Sequence, residues 1–168
     1  MSHSRIFKIQ YDLTEEFEQI KEYDFYDNGF IDGYHDGVDG DTDEFDDYQW
    51  LTTSMGEIFQ NLRKDSDGHY LVDVEKESCR KWLYDRFERM EAHIAKAESE
   101  LTTPDARLSM SWYSLRELID GDREGFYFYM DNCYYTDMEI VRELYEFCFG
   151  KGETKITLRL EGTLDYHC

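Results

Sequence analysis

The chain has 168 residues and a formal charge of −21, from 39 acids against 18 bases. That balance argues against unassisted binding to nucleic acid or to an anionic membrane, because holding phosphates requires Lys and Arg. Hydrophobic residues make up 40% of the chain, with 14 Tyr and 11 Phe, which excludes a disordered acidic tail and suits one folded domain over 1–168.

No run reaches the roughly 20 apolar residues of a membrane span. The first residues, MSHSRIFKIQYDL, hold no apolar stretch of the kind a secretory leader carries. Cys79, Cys133, Cys148 and Cys168 form no C-x-x-C pair. Ordinary thiols in a reducing cytoplasm are the expectation.

Taken in order, Phe7, Ile9, Tyr11 and Leu13 alternate with Lys8, Gln10 and Asp12, which predicts a strand over 4–13. Thr14, with Glu15 and Glu16 behind it, predicts the start of a short helix over 14–23. An acidic segment follows, broken by Gly29, Gly33, Gly37 and Gly40 into a loop or short turns. Helix is expected to resume near Asp43, and Trp50, Leu51, Met55, Ile58, Phe59 and Leu62 return the chain to the core.

Asp65-Ser-Asp-Gly68 reads as a turn and His69–Val74 as a short strand. The longest helix is expected over 74–101, with Cys79, Leu83, Phe87, Met90, Ile94, Ala97 and Leu101 facing inward and Trp82 widening that face. Pro104 ends it. A second short helix is expected from Ser111 or Ser114 to Gly121, then a strand at Phe126–Met130. Thr136-Asp-Met-Glu139 is a capping box for a helix carrying Ile140, Leu144, Phe147 and Cys148, with Gly150 as its terminal glycine. The final strand puts Thr154, Ile156, Leu158 and Leu160 on one face, Lys155, Thr157, Arg159 and Glu161 on the other, and its parity runs on to Leu164 and Tyr166. The order predicts an α+β fold: a mixed or antiparallel sheet of about four strands, helices on one face, and an acidic loop or helix inserted.

The acidic segment is the outstanding feature. No Lys or Arg occurs from Glu22 to Leu62, and those 41 residues carry −12 of the −21. An EF-hand loop starting at Asp39 would have acids at positions 1, 3 and 5, but Glu44 replaces the glycine of position 6 and Trp50 the glutamate of position 12. Asp65, Asp67 and His69 fit a polar turn without an ion. No nucleophile elbow and no phosphate-binding glycine loop occurs, and Cys79 and Cys148 lie on apolar helical faces. No cofactor, metal or catalytic group is therefore expected.

What remains is the charge itself. Carboxylates at Asp24, Asp27, Asp32, Asp36, Asp39, Asp41, Asp43, Glu44, Asp46 and Asp47 can present a density comparable to a nucleic-acid backbone. Phe25, Tyr26, Tyr34 and Tyr48 lie among them and could fill apolar or stacking pockets on a partner. Size and charge are of the type seen in antirestriction, anti-CRISPR and nuclease-immunity proteins, although no motif of a named family is present. The expectation is a non-catalytic inhibitor or nucleic-acid mimic, of the kind mobile elements carry, that occupies the basic groove of a nuclease or other nucleic-acid-binding protein. The alternatives are an interaction or antitoxin module on a basic protein without mimicry, and a small enzyme or metal protein.

Overall fold

A computed structural model describes residues 3–21, 37–39, 44–105 and 126–167. The chain forms two compact units, one of 1–80 with 124–168 and one of 81–123. The first holds the sheet. Its strands are β1 (His3–Gln10), β2 (Gly37–Asp39), β3 (Gln60–Lys64), β4 (Tyr70–Glu75), β5 (Phe126–Met130), β6 (Cys133–Thr136) and β7 (Lys155–His167). The described helices are α1 (Glu44–Ser54), α2 (Lys76–Glu100) and α3 (Asp137–Gly150). Helix α2 belongs to the first unit up to Arg80 and to the second beyond it.

The sheet is mixed, in the order β3-β4-β7-β1-β5-β6, and β1 and β5 are its parallel pair. β4 runs along the first half of β7, while β2 pairs with its end, Asp39 opposite Asp165 and Gly37 opposite His167. The α+β class holds, but about four strands was too few: the described residues form seven. Three strands were missed. β2 is a three-residue strand inside the glycine-broken acidic segment, where a loop or short turns were expected. β3 carries QNLRK, whose weak alternation hides an irregular register with Asn61 at φ 55°. β6 follows a two-residue hairpin turn in which Asp131 (φ 52°) and Asn132 (φ 59°) both take the left-handed conformation that Asn and Asp tolerate best.

β1 has Ile6, Phe7 and Ile9 at or near zero exposure, as a central strand between β7 and β5 should. Its Phe7 face is apolar. Phe7 packs against Phe126, Phe128 and Tyr48, and Phe59 stacks on Phe128. Leu51, Met55, Ile58, Val72, Val74 and Leu158 complete this core. Cys79 and Cys148 are buried with their thiols free, and burial pushes Cys79 up to about 12.

Three further expectations change. Residues 14–21 form no helix; they run as a turn, a bend and irregular chain, and the rest of that predicted helix, 22–23, lies outside the described residues. The predicted helix at 111–121 also lies outside them. In α2 the buried positions include Cys79, Trp82, Arg86 and Ala97, whereas Phe87 and Ile94 are 50% and 42% exposed. The capping box forms as expected at the start of α3, but at the helix's other end the left-handed glycine is Gly152 (φ 69°) rather than Gly150.

Candidate interaction surface

The acidic window leaves the sheet by one route and returns by another. The outgoing route is the strap 14–21, on the Lys8 face of β1. Here Phe7 pairs with Thr163 but Ile9 with Leu160, so Lys8 stands opposite two residues, Glu161 and Gly162. This bulge converts the face expected to meet solvent into a buried ionic site. Arg159 and Glu161 are 5% and 1% exposed, with Arg159 Nε donating to Glu161 Oε1 at 2.8 Å. Lys8 Nζ lies 3.4 Å from Glu161 Oε2.

The two cations also hold the strap by its backbone. Arg159 Nη2 donates to the carbonyls of Glu15 (3.0 Å) and Glu16 (3.2 Å), and Lys8 Nζ to that of Glu18 (2.8 Å). The Glu18 carboxylate is drawn below its usual range by the Lys8 hydrogen bond and charge. Ile20 N donates to Glu161 O at 2.7 Å, and the Ile20 side chain joins Ile6, Tyr129 and Leu164 in a second apolar cluster.

The returning route is α1, on the Phe7 face. Glu44, Asp46 and Asp47 occupy its first turn, where carboxylates favour the exposed N–H groups. Asp47 turns inward: its Oδ1 accepts from Arg5 Nε at 2.9 Å, its Oδ2 from Thr163 Oγ1 at 3.3 Å, and Arg5 Nη1 pairs with Asp165. Tyr48 is 1% exposed, and its hydroxyl accepts the Gly162 N–H at 2.9 Å. Burial, with the Glu44 charge behind it, raises the Tyr48 phenol well above its ordinary value.

Gly162 therefore touches both routes. Its φ of 106° suits glycine, and a Cβ there would meet Ile20 Cγ2 at 2.8 Å and Gln19 Cγ at 3.1 Å.

Two of the predicted contact residues are thus reassigned. Asp47 and Tyr48 are buried and anchor α1, because Arg5 and Gly162 satisfy them from the sheet; they are not available to a partner surface. Asp46 is exposed, with Phe45 and Trp50 part-exposed beside it, and Glu44 is half-buried, accepting from Gln19 Nε2 at 2.7 Å. Asp39 lies on β2. Asp24, Phe25, Tyr26, Asp27, Asp32, Tyr34, Asp36, Asp41 and Asp43 lie outside the described residues. The positioning residues that sequence reasoning missed are Arg5, Lys8, Arg159, Glu161 and Gly162. Their signal was opposite charges two apart, Arg159 and Glu161, on one face of a strand otherwise rich in apolar residues.

The remaining polar clusters have local explanations. Ligand atoms of Asp65, Asp67 and His69 lie within 4.8 Å of one another. The Asp65 carboxylate already accepts the Asp67 and His69 N–H groups at 2.9 Å each, closing the turn, and the His69 ring stacks on Phe17 at 4.5 Å. Asp73 is buried on the Lys8 face, between β3 and β7. Burial alone would raise its carboxyl, but Arg63, Thr157, Lys155 and Asn61 donate to it and hold it far below its usual range.

Among the described residues no helix is long and apolar enough to cross a membrane. No protein-family model, curated protein or solved structure matches the chain.

Proposed function

We propose that the chain is a non-catalytic acidic binding protein, working in the cytoplasm, that engages the basic groove of a nuclease or other nucleic-acid-binding protein in place of nucleic acid. The observation that supports this reading is the anchorage of the cation-free window. Lys8 and Arg159 grip the strap that leads into it, and Asp47 and Tyr48 fix the helix that leads out. A charge array tethered at both ends loses less conformational freedom on binding than a free tail does. Asp46, Phe45 and Trp50 offer charge beside aromatic surface, the composition that interface anchors favour. The field of −21 steers a basic partner inward.

The test is capture of a partner from nuclease-treated host lysate on immobilised protein, followed by competition with duplex DNA. The expected result is a basic protein that DNA displaces and that the triple variant Asp41→Lys, Asp43→Lys, Asp46→Lys fails to hold. Retention by the triple variant would overturn the reading. A partner lost in the triple variant but indifferent to DNA would instead support an interaction module without mimicry.

A further inference from the structure

Helix α2 has two stripes. One, through Cys79, Trp82, Arg86 and Ala97, is buried. The other runs through Arg80, Tyr84, Phe87, Glu91, Ile94 and Glu98, all six exposed. Their steps are four, three, four, three and four residues, the seam spacing that holds two helices side by side in register. Of the eight large hydrophobic side chains exposed among the described residues, three (Tyr84, Phe87 and Ile94) lie on this one seam. The seam is about 27 Å long, at 1.5 Å per residue.

The charge of the helix indicates what lies along it. Residues 76–100 carry six acids and six bases, so this stretch is neutral while the rest of the chain carries the whole −21. Two copies can meet here without the like-charge repulsion that opposes their contact at acidic surface. The charges are also sorted. Four bases and three acids precede Arg89, whereas one base and three acids follow it. Turned antiparallel about a two-fold axis at Arg89, the positive half of one helix faces the negative half of the other, and the two macrodipoles oppose. A parallel pair would instead set Arg80 on Arg80 and Glu98 on Glu98.

We infer that the chain forms a two-fold dimer by antiparallel pairing of this α2 seam. Arg80 faces the partner's Glu98, Tyr84 the partner's Ile94, and Phe87 the partner's Glu91. Arg80 Nη1 lies 3.6 Å from Glu77 within its own helix, with both side chains more than half exposed. A surface contact of that kind is weak and is readily shared with a second carboxylate. Glu91 is the polar break in the seam; such a residue costs stability, so dimer and monomer interconvert. The seam shares no residue with the acidic window, so its failure leaves the proposed function standing.

The test is sedimentation of the whole chain over a concentration series, with circular dichroism of each variant as the check on its fold. The expected result is a monomer–dimer equilibrium that Phe87→Ser abolishes and Glu91→Leu tightens. Arg80→Glu and Glu98→Arg should each weaken it about tenfold, since each puts two like-charged pairs at the ends of the seam. Combining the two reversals restores opposite charges and should restore the dimer. A monomer at every concentration would overturn the inference, as when the chain's own residues beyond Pro104 cover the seam. A dimer indifferent to Phe87→Ser would overturn it too. If Phe87→Ser unfolds the helix, the charge exchange decides alone: a double variant no tighter than the single ones would contradict antiparallel pairing.

Discussion

The two faces of the β1–β7 pair hold the same acidic window by different physics. On the Phe7 face, α1 is seated by aromatic and aliphatic packing, with one ionic contact, Asp47 to Arg5, at its edge. On the Lys8 face, the strap is seated by buried cations donating to its carbonyls, with apolar support from Ile20 at its end and from Phe17, whose ring stacks on His69. The apolar attachment is tolerant, since volume and shape suffice. The ionic one is exacting, because removing one charge strands the other.

That contrast can be broken most forcefully at Arg159. Arg159→Met leaves Glu161 buried with only Lys8 beside it, and frees two strap carbonyls. It should cost about 3–5 kcal/mol in chemical denaturation, and the Ile20 amide should exchange faster while the Gly162 amide, held from the helix side, changes less.

Gly162→Ala attacks the residue both sides share. A left-handed alanine pressed against Ile20 should cost about 2–3 kcal/mol, with both amides losing protection together.

Asp73→Asn sharpens the comparison by testing an ionic site that the strap does not use. At pH 7 it should cost about 2 kcal/mol. The folded carboxyl lies below its unfolded value, so this stabilisation is complete above the unfolded value, near pH 4, and fades as pH falls toward the folded one. Melts from pH 7 to pH 2 should therefore show wild type and variant converging in acid. Tyr48→Phe is the mildest change: it removes one hydrogen bond to the Gly162 N–H and keeps the ring, for about 1 kcal/mol.

The same contrast explains what the sequence made legible. The apolar face was readable because its residues repeat at strand and helix periods: Phe7 and Ile9, Leu158 and Leu160, and Leu51, Met55, Ile58 and Phe59 all lie in the core. The ionic face was misread because Lys8, Arg159 and Glu161 look like solvent-facing residues until a strap is laid over them. Thr14, Glu15 and Glu16 resemble a helix start, yet the carbonyls of Glu15 and Glu16 are taken by Arg159 from across the sheet. Tertiary contacts override local preference there. Asp47 and Tyr48 show the same limit: composition placed them with the exposed acids and aromatics, and only the helix phase relative to Arg5 and Gly162 separates them from Asp46.

The most direct test of the whole account is the affinity for the captured partner, measured by calorimetry across a salt series, for wild type and for the Asp41→Lys, Asp43→Lys, Asp46→Lys variant. The account predicts wild-type affinity that falls steeply as salt rises, and a variant whose binding is lost or whose salt dependence is flattened while its melting curve stays the same. Equal affinities with the same shallow salt dependence in both proteins would contradict it.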